Sequence, residues 1–327
     1  MSSCGFQNKT QIIMKRIFIA FAALATLAAC NKEAAIETPQ GAAIAFGDAF
    51  VDNSTKAIYE TANDLTGFTV WGNVNNIALY GTEGATVTRG EVALGLAWTC
   101  SVTRYWIPSS TFNFAAIANG TGTDCVNGIP TKISYTLNGA DPADLVYGPA
   151  SATTDASCVP TGSVVNGTGI VSFTLEHLLA RVKVSFENQI EEDDYTYAIS
   201  NVTLSTWGEG VYTIASATPW ARKGEGTAAL PYTGLDKLTS GATHAAGAQV
   251  LIPGAPMTLG FTYELKLNEK TIYTGTVSKA VTTSLEQSHS YNLNVQLKAG
   301  GKIDFTVVDG GLGEWTSPTD DGTTTIQ

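Results

Sequence analysis

Beyond residue 43 the chain runs in short segments where large apolar side chains take every second position, the pattern of half-buried strands. Ala43-Ile44-Ala45-Phe46 is the first, extended by Ala49-Phe50-Val51, and Phe68-Thr69-Val70-Trp71 follows the polar stretch 52–64. Ile133, Tyr135 and Leu137 alternate up to the turn signal Asn138-Gly139, and Asp144-Leu145-Val146-Tyr147 comes next. Between 170 and 186 the parity changes: Val171, Phe173, Leu175 and His177 are odd, whereas Val182, Val184 and Phe186 are even. Side chains alternate across a strand, so such a change requires an inserted residue or a break. The expectation is one long strand bulged near 177–180, with a single helical turn there as the alternative. The four acids Glu191-Glu192-Asp193-Asp194 then mark a boundary between a domain at 43–189 and one at 190–327. Past them, Tyr197-Ala198-Ile199, Val202-Thr203-Leu204 and Val211-Tyr212-Thr213-Ile214 resume the strand pattern, and the Gly/Ala/Thr-rich stretch 224–247 reads as loop. The clearest strands are last. Phe261, Tyr263, Leu265 and Leu267 alternate toward Asn268-Glu269, Tyr291 to Leu297 alternate toward Gly300-Gly301, and Ile303, Phe305 and Val307 alternate toward Trp315. Regular short strands with turns between them predict antiparallel β-sandwiches, and no repeat of a propeller or solenoid is visible.

Composition agrees with that pattern. Forty-four threonines, 33 glycines and 12 tyrosines among 327 residues favour strands and the turns between them, not long helices. The net charge is −11, and it falls to −14 without Lys9, Lys15 and Arg16 of the leader, so a phosphate backbone would be repelled. Nucleic acid is therefore not an expected partner.

The leader is the most specific short signal. Met14-Lys15-Arg16 precedes thirteen mostly apolar residues, 17–29, too few to span a bilayer but suited to a secretory signal. Leu27-Ala28-Ala29-Cys30 has the form of a lipobox, whose cysteine thiol accepts diacylglycerol. Residues 1–29 are read as signal peptide starting at Met14, Cys30 as the lipidated residue, and 30–42 as a tether. Cys100, Cys125 and Cys158 are left, an odd number without metal-ligand spacing, which allows at most one disulfide.

Catalytic signatures are absent: the chain has no G-x-S-x-G, H-E-x-x-H, Walker loop or G-x-G-x-x-G. His177, His244 and His289 have no second histidine or carboxylate at ligand spacing, and the acidic run lacks the interleaving of a calcium loop. No enzyme, metal or cofactor is expected.

In order, the lipobox, Ala43-Ile44-Ala45-Phe46, Ser54-Thr55-Lys56-Ala57, Phe68-Thr69-Val70-Trp71-Gly72, Asp144-Leu145-Val146-Tyr147, Phe173 to Val182, and Gly301 to Val307 with Trp315 resemble the fimbrillin family. Its members are lipoprotein-precursor subunits of type V pili, and the resemblance covers nearly the whole mature chain. It implies two tandem transthyretin-like β-sandwiches on a precursor lipid-anchored in the outer membrane. A trypsin-like surface protease then cuts behind the first strand, and the freed groove takes a strand from another pilin subunit in the extracellular fimbrium. The matching basic residue is Lys56, where the family more often has arginine, with Arg89 as the alternative. The donor candidate lies within 316–327, where Thr323, Thr324, Thr325 and Ile326 are β-prone and Ile326 alone is large and apolar. A rival reading is a surface glycan-binding lipoprotein using tryptophans among Trp71, Trp98, Trp106, Trp207, Trp220 and Trp315 as stacking surfaces.

Overall fold

The computed structural model describes residues 41–51, 65–90, 98–165, 169–312 and 323–326. The signal peptide, the tether up to residue 40 (with Cys30), Lys56 and Trp315 lie outside these residues. The described chain is almost entirely β-structure. Its first strands are β1 (Ala45–Val51), β2 (Gly67–Val74), β3 (Ile77–Ala78), β4 (Ala85–Arg89), β5 (Trp98–Cys100) and β6 (Thr111–Ala118). There follow β7 (Thr121–Thr123), β8 (Lys132–Thr136), β9 (Val146–Thr154), β10 (Pro160–Gly162), β11 (Val164–Val165) and β12 (Ile170–His177). The next set is β13 (Ala180–Asn188), β14 (Tyr195–Trp207), β15 (Glu209–Thr213), β16 (Trp220–Arg222), β17 (Thr227–Pro231) and β18 (Leu235–Leu238). Last come β19 (Thr243–Leu251), β20 (Met257–Leu267), β21 (Lys270–Val281), β22 (His289–Leu297), β23 (Ile303–Leu312) and β24 (Thr323–Ile326).

The early strands form one ten-stranded sheet in the order β1-β12-β9-β6-β2-β4-β5, with β3, β10 and β11 attached at its margins. This sheet closes over its own apolar face. Phe68 of β2 meets Phe173 of β12 edge to face with ring centres 5.6 Å apart, although two strands separate them in the sheet. Phe112, Phe114, Val171, Phe173 and Leu175 are all at most 2% exposed in this core. The later strands form two five-stranded sheets, β19-β13-β22-β23-β24 and β17-β14-β20-β21 with β18 beside β14. These face each other: Phe186 of β13 packs edge-on against Phe261 of β20 at 5.1 Å, and the Tyr197 hydroxyl donates to the Lys298 carbonyl at 2.8 Å. Each such ring withdrawn from water contributes about 1.5–3 kcal/mol. A fourth sheet, β16-β15-β8-β7, joins early and late parts of the chain.

The parity change at 177–180 has a different cause from the expected bulge. His177 ends β12 in the ten-stranded sheet and Ala180 begins β13 in a five-stranded one, so the chain changes sheets between them. Leu178 and Leu179 are fully buried at that crossing. The odd and even apolar sets serve two different cores. The stretch 224–247 is likewise not loop: it contains β17, β18 and the start of β19. Its Ala, Thr and Gly side chains are too small to print an alternating pattern, and the neighbouring strands β13 and β14 supply the pairing that propensity does not. The turn at Asn268-Glu269 is as expected, with both residues in the left-handed region of a two-residue hairpin. The acidic run 191–194 is exposed between β13 and β14.

Candidate strand-exchange site

The first strand lies in a slot with backbone on both sides. On one side the Ile44 amide donates to the Arg104 carbonyl at 2.7 Å, and the Trp106 amide donates to the Ala42 carbonyl at 3.1 Å. On the other, the Ala45 amide reaches the Gly169 carbonyl at 3.2 Å, and β1 runs along β12 from Ala45 opposite Ile170 to Val51 opposite Leu175. That pairing is parallel, whereas the others recorded in the ten-stranded sheet are antiparallel.

The side chains that anchor the strand follow from its alternation. Ile44 and Phe46 are both 4% exposed. The Phe46 ring stacks on Phe173 at 6.0 Å, meets Phe114 edge-on at 5.8 Å and lies 6.2 Å from Tyr80. Glycine is required at the entrance, because a Cβ on Gly41 would come within 2.4 Å of the Trp106 carbonyl oxygen. Two buried donors around the slot, the Tyr80 hydroxyl and Trp106 Nε1, have no acceptor among the described residues. Burial pushes the Tyr80 hydroxyl well above its ordinary range. An unmet buried donor costs about 1–3 kcal/mol, so β1 fills the slot's apolar part better than its polar part.

Of the residues singled out by sequence, Lys56 and Cys30 are not described. Arg89 closes β4, which pairs with β2 on one side and with β5 on the other, and its guanidinium sits over the Trp98 ring at 5.6 Å. Thr323 to Ile326 form β24, the outermost strand of a five-stranded sheet, antiparallel to β23 with Ile326 opposite Phe305 and Thr323 opposite Val308. Cys100, Cys125 and Cys158 are free thiols. Trp71 and Trp106 are core residues at 2% and 1% exposure, and Trp220 is half-buried.

The expectation that the histidines lack carboxylate partners is corrected for two of them. His177 Nδ1 bonds Asp144 Oδ2, with both side chains buried, and His289 Nε2 lies 3.6 Å from Glu286. Burial pushes the Asp144 carboxyl up, opposed by the His177 hydrogen bond and by the Arg181 charge. The first pair was missed because its members are 33 positions apart, and it is the antiparallel pairing of β12 with β9, His177 opposite Val146, that brings them together. Closed off from solvent, the pair holds the structure and offers no surface for a substrate.

The model of the family described as fimbrillin-like matches residues 49–310, and that of the prokaryotic membrane lipoprotein lipid attachment site matches residues 14–31. No curated protein matches the chain. Among solved structures, a fimbrial protein from Bacteroides vulgatus is similar with a TM-score of 0.56 at 13% identity, covering 83% of this chain and 99% of that one. A candidate cell adhesion protein from Bacteroides uniformis aligns with a TM-score of 0.50 at 13% identity, covering 82% and 96%. Another from Bacteroides eggerthii gives 0.50 at 12% identity, covering 84% and 97%. At these identities the likeness is one of fold.

Proposed function

The chain belongs to the fimbrillin-like family and carries a lipoprotein attachment site, and from this premise we propose that it is a structural subunit of a type V pilus assembled by strand exchange. In this reading Cys30 carries the lipid in the outer membrane. A trypsin-like protease cuts after Lys56, and β1 leaves with the lipid. A strand from another pilin subunit then occupies the slot in the extracellular fimbrium, with Thr323 to Ile326 as this chain's own donor candidate. Two tandem units, expected at 43–189 and 190–327, belong to the same proposal, with β13 counted in the second because it pairs with β19 and β22, as does a purely structural role without catalysis or cofactor.

The observation that carries it is the slot. A strand walled by backbone on both sides, anchored by Ile44 and Phe46 and leaving two donors unmet, is a separable cover. A replacement strand that buries four or five side chains and pairs its backbone gains on the order of 10–20 kcal/mol gross, before ordering costs. Lys56 is favoured over Arg89, whose peptide lies in a strand paired on both sides, while proteases need extended, unpaired chain.

Trypsin treatment of the precursor tests the proposal. The expected product begins at Ala57, lacks β1, and forms multimers that survive mild detergent. Lys56→Ala abolishes both the cut and the multimers, and Arg89→Ala does neither. A trimmed product that stays monomeric at high concentration would reject strand exchange.

A further inference from the structure

At one end of the later sandwich, the segment before β14, the start of β14, β20 and part of β21 line a groove of about 400 Å³. Ile190, Leu265 and Ile272 give it aliphatic surface, Tyr195 and Tyr273 aromatic surface, and Glu192 a carboxylate. A bulge turns β21 toward it. Leu265 lies opposite Tyr273 and Lys266 opposite Thr271, so Ile272 is an extra residue and two successive side chains reach the groove. Both stay half in water, Ile272 at 49% exposure and Tyr273 at 50%.

Tyr273 is held from one side. Its ring stacks on Tyr263 with centres 5.9 Å apart, and the Tyr263 hydroxyl donates to the Gly301 carbonyl at 3.3 Å. Glycine leaves room for the ring, since a Cβ on Gly301 would come within 3.2 Å of it. The π-surface is thus positioned without being covered.

Charge around the groove is one-sided. Glu191, Glu192, Asp193 and Asp194 are exposed, and none pairs with a cation among the described residues. Lys237 is bound to Glu269 at 2.5 Å, Lys266 lies 3.5 Å from Glu264, and Lys298 pairs with Asp304. Aliphatic surface, an aromatic face and an uncompensated carboxylate together match a cation on an aliphatic stem. Such a side chain lays its methylenes on apolar surface and its head on a ring. Arginine suits better than lysine, because its planar guanidinium stacks on the ring and pairs with a carboxylate at once.

We infer that this groove receives an arginine side chain from an extended basic segment of a partner protein. The stem lies along Ile190, Leu265 and Ile272, and the guanidinium stacks on Tyr273 and bonds Glu192. A second copy is the weaker occupant, since a chain of net charge −11 repels itself. The inference goes beyond pilus assembly, and the groove shares no residue with the slot.

The test follows fluorescence anisotropy of a labelled hexapeptide of alternating arginine and threonine titrated with the uncut precursor. Its counterparts carry citrulline, the uncharged isostere, or lysine in place of arginine. The arginine peptide is expected to bind at submillimolar concentration, more weakly as salt is raised, with the lysine peptide second. Citrulline should cost roughly ten-fold, and Tyr273→Ser and Glu192→Gln about two- to five-fold each. Tyr273→Phe, which keeps the ring, should bind like wild type. Glu83→Gln with Asp141→Asn, exposed carboxylates outside the groove, should change nothing, which separates the groove from bulk charge. The inference is overturned if no peptide binds, or if the citrulline peptide binds as well as the arginine one. It is equally overturned if the Glu83 and Asp141 variant loses as much as Glu192→Gln, or if Tyr273→Ser and Glu192→Gln leave binding intact. Self-association of the chain that Glu192→Gln abolishes would make a second copy the occupant and reject the basic partner. None of these results depends on the cut after Lys56, so strand exchange stands or falls separately.

Discussion

Asp144 and His177 show how much a single contact carries here. Both are buried, their side chains bond each other, and the Asp144 carbonyl also accepts from the Asn119 side chain at 2.7 Å. Removing one member of a buried pair leaves the other uncompensated, which typically costs about 3–5 kcal/mol. Asp144→Ala is therefore expected to lower the urea midpoint by a large margin. Asp144→Asn, which keeps an acceptor for the imidazole, should recover at least half of that loss. Equal stability of wild type and Asp144→Ala would show that the pair contributes nothing.

At the level of elements, β1 is held by few side chains, so its anchor should dominate. Phe46→Ala removes a ring in contact with three others, at a cost of about 3–5 kcal/mol. If β1 opens separately from the rest, the Ile44 and Ala45 amides should exchange with solvent roughly a hundred- to several thousand-fold faster in this variant. Amides of β13 and β22 should be unaffected. Uniform acceleration through the chain would mean that β1 unfolds only with the whole. Much of this element was legible beforehand, since the alternation in Ala43-Ile44-Ala45-Phe46 marks both the strand and its buried side. Its neighbours were not: Arg104, Trp106 and Gly169 lie in short irregular segments about 60 and 125 positions downstream, and no local pattern signals that they wall it. The same limit hid β17 and β18, whose small side chains carry no period of their own. Large apolar residues announce a strand; its partners are fixed by contacts that sequence spacing does not encode.

Across the whole molecule, the buried tyrosines make stability depend on alkali. Burial, with the nearby Tyr263 adding to it, pushes the Tyr197 hydroxyl up to about 12. Tyr80 in the first core and Tyr232 in the later one are raised further, also mainly by burial. A group whose folded value lies above its unfolded value near 10 lends its full stabilisation below that pH, and loses it as pH rises through the folded value. The tyrosines' contribution to stability should thus be flat to about pH 10 and fall above it. Part of the phenolate absorbance should appear only together with loss of the far-ultraviolet β signal. Full tyrosine ionisation with the β signal intact would contradict this. The placement of β24 has a consequence of its own. Its four residues shield only the middle of the ten-residue β23, at Phe305 to Val308. Should that tail be lent to a neighbour, the donor would bare the full length of β23 as a fresh rim, so a handover relocates an open edge instead of eliminating one.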